Sequence, residues 1–264
     1  MTPSIKLLWI LLPLTFRVRP NLPESVASTA SALHLADPML DDEPVLHAFR
    51  ARKPNSDPDT LTFDEAMASP DRDLWIAVAE KEIADLTKRG TWREVPIRSA
   101  TKKVLPGTWT FRLKRCPDGR PLKHKARYCV RGDLEETEEE HTSPVTSWSS
   151  VRVFLVFAMI LGWVTCTIDF SNAFVQSVLP SDNPMWIRIP RGYRSTMTEG
   201  TCLKLEKSLY GTKIAPKLWF ETAINAFKKL GFVQSKYDPC FLLRSDMLIV
   251  LYVGDAGLAA AGSW

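Results

Sequence analysis

Two apolar runs in this chain lead to an aspartate: Val164-Thr165-Cys166-Thr167-Ile168 runs straight into Asp169, and Leu248-Ile249-Val250-Leu251-Tyr252-Val253 reaches Asp255 across Gly254. Runs this short and rich in β-branched residues form strands buried in a sheet. A carboxylate at the end of such a strand is costly unless a donor, a cation or a metal meets it. Two strand-end acids can hold a hard divalent ion such as Mg²⁺, and they can equally cap turns and helices. The residues by themselves leave both roles open.

The surrounding pattern alternates helices with strands. Ser69-Pro70-Asp71 predicts a helix start and Gly90 its stop, with Trp75, Ala79, Ile83 and Leu86 on one apolar face. Extended runs follow at Thr91–Val95, Thr108–Lys114 and Leu122–Val130, the last two joined by the turn Pro117-Asp118-Gly119. Ser149–Leu161 reads as a buried helix and Asn172–Leu179 as a short one. Pro216–Leu230 forms a core-facing helix through Leu218, Trp219, Ala223, Phe227 and Leu230. Phe241–Arg244 and Met247–Val253 flank Ser245-Asp246 as a hairpin. This order indicates an α+β fold with helices packed on antiparallel strands. Residues 1–68, rich in Pro, Ser, Asp and Ala beyond Arg17, are expected to be a loosely ordered arm, and residues 69–264 the folded part.

Composition narrows the function classes. A net charge of +4 permits a polyanionic partner without requiring one. The five cysteines, at 116, 129, 166, 202 and 240, include no Cys-x-x-Cys pair, and the four histidines, at 34, 47, 124 and 141, lie near no cysteine doublet. No zinc site is expected, and reduced thiols point to an intracellular protein. Ile5–Phe16 is apolar with Lys6 near its start, but it is too short to span a bilayer, is interrupted by Pro13 and lacks a small-x-small site beyond it. Secretion and membrane insertion are not expected.

Eight segments in order resemble the reverse transcriptases of copia-type retrotransposons: Gly90-Thr91-Trp92, Trp109–Lys114, Asp118-Gly119, Lys125-Ala126-Arg127, Ser143-Pro144-Val145, Ile168–Phe174, Leu209-Tyr210-Gly211 and Tyr252–Asp255. The resemblance covers roughly Trp75 to Asp255 and implies polymerase palm and fingers subdomains within a Pol polyprotein. In that family Mg²⁺ or Mn²⁺ ions held by palm aspartates serve nucleotidyl transfer from deoxynucleoside triphosphates onto an RNA or DNA template-primer. By position, Asp169 is implied as catalytic and as a metal ligand, with Asp255 the second acid. Phe174 is similar to the residue that discriminates against a ribose 2′-hydroxyl, and Lys114 and Arg127 to the cations that grip the triphosphate.

The departures from the family pattern concern the same centre. The family has Tyr-x-Asp-Asp where this chain has Tyr252-Val253-Gly254-Asp255, so Gly254 replaces an aspartate. Adjacent residues of a strand alternate in direction, so Asp255 is expected to face away from where residue 254 would act. Ile214 stands where the family has a glutamine lining the nucleotide pocket, and an isoleucine offers no hydrogen bond. The acidic loop Asp133–Glu140 would repel phosphates if it faced them. The chain ends nine residues past Asp255, so neither a thumb nor an RNase H domain is expected, and the palm sheet is expected to lack its closing strand. The alternative function is a non-catalytic remnant that binds nucleic acid or another protein.

Overall fold

A computed structural model of the chain describes residues 16–20, 57–136, 141–197 and 200–261. Most of the arm expected over 1–68, including the apolar stretch up to residue 15, lies outside these residues. The chain divides into two compact units, one made of residues 1–41, 141–177 and 216–264, the other of residues 42–140 and 178–215.

The first unit is built on a six-stranded antiparallel sheet. Its strands are β1 (Phe16–Pro20), β7 (Val164–Phe170), β10 (Val233–Gln234), β11 (Phe241–Arg244), β12 (Met247–Tyr252) and β13 (Asp255–Ala260), in the order β1-β7-β13-β12-β11-β10. The predicted hairpin over Ser245-Asp246 is present, with Arg244 opposite Met247. The closing strand expected to be lacking is present: Asp255–Ala260 forms β13 and pairs with both β12 and β7.

Helices cover both faces of this sheet. Helix α3 (Trp148–Ile160) buries Phe154 and Ala158 against Phe241, Leu248, Val250 and Ala259. A Cβ on Gly257 would meet the Phe154 ring at 3.6 Å, an ordinary packing contact that places the ring directly over β13. Helix α4 (Ala215–Lys229) packs Trp219 and Phe227 against Phe170, whose side chain points to the other face. The reading of α3 as a buried helix needs correction. Val156, Phe157, Met159 and Ile160 are all at least half exposed, because one side of the helix suffices to cover the sheet and its apolar residues extend beyond that side.

The start of α3 is fixed by Asp238, a buried carboxylate beyond its own segment. It accepts hydrogen bonds from the Ser147 backbone N–H at 3.0 Å, the Thr146 hydroxyl at 3.2 Å, the Ser150 hydroxyl and the Cys240 N–H at 2.8 Å. Burial raises its pKa, and these donors outweigh burial and hold it below the usual carboxylate value.

The second unit contains two smaller sheets. Strands β2 (Thr60–Leu61), β5 (Gly107–Arg115) and β6 (Pro121–Val130) form one, and β3 (Trp92–Pro96), β9 (Thr201–Leu205), β8 (Trp186–Ile187) and β4 (Val104–Leu105) the other, with β4 parallel to β8. Folding begins ahead of Ser69. Strand β2 and helix α1 (Phe63–Ala68), closed by a Thr62/Glu65 capping box, precede helix α2 (Arg72–Lys88). Trp75 of α2 meets Phe111 at 5.6 Å and His124 at 4.3 Å between ring centroids, so α2 covers the apolar face of the β5–β6 hairpin. Glu82 of α2 is buried beside edge strand β6, with Arg127 and Lys125 near it and its Oε1 without a hydrogen-bond partner among the described residues. Burial pushes its pKa up to about 7 even though Arg127 and Lys125 act in the opposite sense.

Two stability effects follow from these buried carboxylates. Asp238→Ala strips four donors of their acceptor and should cost about 2–4 kcal/mol in urea unfolding, with helix content lost in parallel. Glu82 has a raised folded pKa, so its contribution is fully present below the unfolded value near 4.5 and is lost as pH rises through about 7. Glu82→Gln should therefore unfold less readily than the parent at pH 8, by at most about 3 kcal/mol, and flatten the decline between pH 4.5 and 7. An unchanged pH profile would refute this assignment.

Candidate active site

The centre of the first unit is a two-residue hairpin turn. Tyr252 of β12 pairs with Asp255 of β13, leaving Val253 and Gly254 as the turn residues. Val253 has φ 47°, while Gly254 lies outside the left-handed region. A positive φ at the first turn position alone is the pattern of a type II′ turn, where glycine is favoured first and a β-branched residue is strained.

Across the sheet, Asp255 is the register partner of Asp169, and Gly257 that of Thr167. Directly opposed residues on neighbouring strands project to the same face, so the two carboxylates are side by side. The Phe170 N–H donates to the Gly254 carbonyl at 2.9 Å. That makes 170/254 a hydrogen-bonded pair and 169/255 a non-hydrogen-bonded one, whose Cα atoms lie about 4.5 Å apart in regular sheet. Asp255 thus shares a face with Asp169, while residue 254, opposite Phe170, takes the alternate register position. The alternation rule holds along one strand, but the turn at 253–254 transfers residue 255 to the next strand, where register sets its direction.

Both acids are half-buried. Among the described residues no group of three or more His, Cys, Asp or Glu is placed to hold a metal. Two carboxylates fit a single Mg²⁺, which takes one or two carboxylates and completes its shell with water and phosphate oxygens. A Cβ on Gly254 would have one neighbour, the Ala173 Cβ at 3.7 Å. Ala173 belongs to a 3₁₀ turn, Ala173–Gln176, entered through Asn172 at φ 53°. Phe174 in this turn is 3% exposed and so packed in the core.

Sequence reasoning treated Trp219 only as a core residue. Its indole N–H donates to the Val253 carbonyl, and its ring lies 5.0 Å from that of Phe170 at 62°. Only the helical spacing signalled it, and that spacing spoke for burial alone.

Lys114, Arg127 and Ile214 belong to the second unit. The register Thr110↔Arg127, Arg112↔Lys125 and Lys114↔Lys123 sets five cations, Arg112, Lys114, Lys123, Lys125 and Arg127, on one face of the β5–β6 hairpin. Lys114 is exposed, and Arg127 is half-buried with its guanidinium 5.2 Å from the centre of the Tyr210 ring. Alternating cations along Lys123, Lys125 and Arg127 were the available signal for this face. Tyr210 is held by its carbonyl, which accepts from the Val130 N–H at 2.7 Å. A Cβ on Gly211 (φ +88°) would come within 2.2 Å of the Val130 carbonyl, so the chain there demands glycine. Ile214 is 4% exposed and part of the core. The acidic loop is paired within its unit: Asp133 with Arg131 at 2.5 Å, Glu136 with Lys103 at 3.0 Å, and Glu135 with the Lys213 N–H at 3.0 Å. Residues 137–140 are outside the described set. Among the described residues no helix is long and apolar enough to cross a membrane.

The sequence model of the family described as reverse transcriptase (RNA-dependent DNA polymerase) matches residues 89–263. The chain is 27% identical over 209 residues to the retrovirus-related Pol polyprotein from transposon TNT 1-94 of Nicotiana tabacum, covering 76% of this chain and 16% of that protein. It is 28% identical over 188 residues to the retrovirus-related Pol polyprotein from transposon RE1 of Arabidopsis thaliana, covering 69% and 13%. Against the truncated transposon Ty1-A Gag-Pol polyprotein of Saccharomyces cerevisiae the identity is 26% over 214 residues, covering 74% and 17%. The chain therefore spans less than a fifth of the length of each of these relatives.

The space around Gly254 and its ordinary φ yield a direct expectation. Gly254→Asp should change unfolding free energy by no more than about 1 kcal/mol, since lost unfolded-state entropy opposes the repulsion of a third carboxylate. Added Mn²⁺ should raise the melting temperature of this variant more than that of the parent. A loss above about 3 kcal/mol would mean that the turn cannot hold a side chain.

Proposed function

Since this chain belongs to the reverse transcriptase (RNA-dependent DNA polymerase) family, with relatives among the Pol polyproteins of copia-type retrotransposons, we propose that it is the palm and fingers portion of such a polymerase, with a weakened metal site. The first unit corresponds to the palm and the second to the fingers. The observation that carries this reading is the register of Asp169 against Asp255 beside the hairpin turn. These two carboxylates would hold Mg²⁺ or Mn²⁺. Bound there, the ion would supply positive charge to the nucleotide phosphates and the primer 3′-hydroxyl.

The chain's own residues divide the remaining work. The cationic face carrying Lys114 and Arg127 would attract the triphosphate and the template-primer backbone, Lys114 as a mobile point charge and Arg127 as a fork steadied by Tyr210. Phe174 would limit the room for a ribose 2′-hydroxyl, and its burial makes core packing the competing role. Gly254 removes one carboxylate from the set, which lowers the affinity for a second ion and the charge stabilisation available in the transition state. Ile214 removes a hydrogen-bonding side chain that the family places near the nucleotide.

The reading is tested by primer extension on an RNA template with Mg²⁺ or Mn²⁺. Gly254→Asp should extend at least about 100-fold faster than the parent chain, equivalent to about 3 kcal/mol of barrier. Asp169→Asn in the Gly254→Asp background should abolish the gain. Equal rates for the parent and Gly254→Asp would sink the proposal of a weakened site. A second reading, a nucleic-acid-binding remnant without catalysis, is favoured by the five-cation face. It would give salt-dependent retention of template-primer with no extension by either protein.

A further inference from the structure

The carboxylate pair is held from three sides, and the three restraints converge on one buried side chain. The Phe170 N–H fastens the residue after Asp169 to the Gly254 carbonyl at 2.9 Å. The Phe170 ring packs edge-on against the Trp219 indole at 5.0 Å. The Trp219 Nε1–H then donates to the carbonyl of Val253, the turn residue on the far side of Gly254. Trp219 is 1% exposed, so its indole N–H would be orphaned without that carbonyl.

The Val253 carbonyl needs such a partner. Valine at φ 47° adopts a backbone conformation that β-branched residues avoid, and a two-residue turn has few bonds of its own with which to enforce it. Return of Val253 to a negative φ would release the strain, swing the Val253 carbonyl away from α4 and shift the rest of the turn, taking the Gly254 carbonyl away from Phe170. Asp255 would then lose its fixed position opposite Asp169. A donor on α4, rooted in the core through Trp219, Ala223 and Phe227, blocks that rotation.

We infer that Trp219 is a positioning residue that sets the separation of the Asp169 and Asp255 carboxylates by clamping the strained Val253 turn through its indole N–H. The inference rests on the metal-binding reading of the two aspartates only for its affinity readout. The clamp itself is a claim about coupling between positions 219 and 253. Simple core packing by Trp219 would give the same loss whatever residue stood at 253. A clamp would become redundant once glycine at 253 removed the strain.

The test is a double-mutant cycle of Trp219→Phe and Val253→Gly in the full chain, with Asp169→Asn as the metal control. Phenylalanine keeps an aromatic ring and removes only the donor and part of the volume. Mn²⁺ dissociation constants are read from the loss of the free-ion electron paramagnetic resonance signal. Amide hydrogen exchange is read at Phe170 and Asp255. Trp219→Phe alone should weaken Mn²⁺ binding about three- to tenfold and speed Phe170 exchange by a similar factor. In the Val253→Gly background the same change should alter both by less than about twofold. Equal losses in the two backgrounds would overturn the clamp, as would no loss in the parent. Should the parent bind Mn²⁺ no better than Asp169→Asn, the metal reading fails, and the exchange cycle still decides the role of Trp219.

Discussion

The ladder between β7 and β13 fixes where the two acids of the proposed active site stand. A slip of one residue would turn Asp255 to the face that α4 covers, burying a charge among Phe170, Trp219 and Phe227. The register is therefore defended by desolvation as much as by hydrogen bonds. Apolar residues secure it from both sides. Ile168, Ala256 and Leu258 point to the α4 face, while Gly257 and Ala259 admit Phe154 and Ala158 of α3 on the other. Strand β1, with Arg17 as the register partner of Asp169, continues the ladder past β7, so the strand that carries Asp169 is an interior strand.

Much of the fold was legible because its signals are local. The stripe Trp219, Ala223 and Phe227, the stop at Gly90 and the two hairpins all follow from spacing within about a dozen residues. The site was legible in its parts and not in its arrangement. Asp169 and Asp255 stand out as acids beside apolar strands, but which face each one shares is set by pairing between segments eighty-odd residues apart, which periodicity does not encode. That Asp255 shares a face with Asp169 is decided by the pairing of β13 with β7, which alternation along a single strand does not reveal. The exposed side of α3 was unreadable for a related reason: past Arg152 every residue of the helix is apolar, so the pattern does not say which side meets the sheet.

In the second unit the polar pattern carried more than it first revealed. Lys114 and Arg127 were expected as separate cations on the arms of a hairpin, and the cross-strand register joins them with Arg112, Lys123 and Lys125. The opposite face is filled by Trp109, Phe111 and Tyr128 in contact with one another and, through Phe111, with Trp75, so the aromatic layer fixes which side the cations occupy. The acidic loop that raised a conflict with phosphate binding spends its described carboxylates on Arg131, Lys103 and the Lys213 backbone. Local pairing of that kind lessens the repulsion an adjacent polyanion would meet.

Gly254 has no conformational justification in this structure. The left-handed position of the turn is held by Val253, and Gly254 occupies a conformation open to any residue, with 3.7 Å to its nearest neighbour. Elsewhere in the chain glycine answers a demand, as at Gly211, where a Cβ would collide with the Val130 carbonyl. Neither the backbone nor the packing at 254 requires glycine, so what separates glycine from aspartate there is charge. On the proposed reading, carboxylates at 254 and 255 beside Asp169 of β7 would call for more than one divalent ion, whereas Asp169 and Asp255 can be balanced by one. On that reading the fold does not depend on the metal, because the turn is held by the Trp219 indole N–H and the two acids by the β7–β13 register.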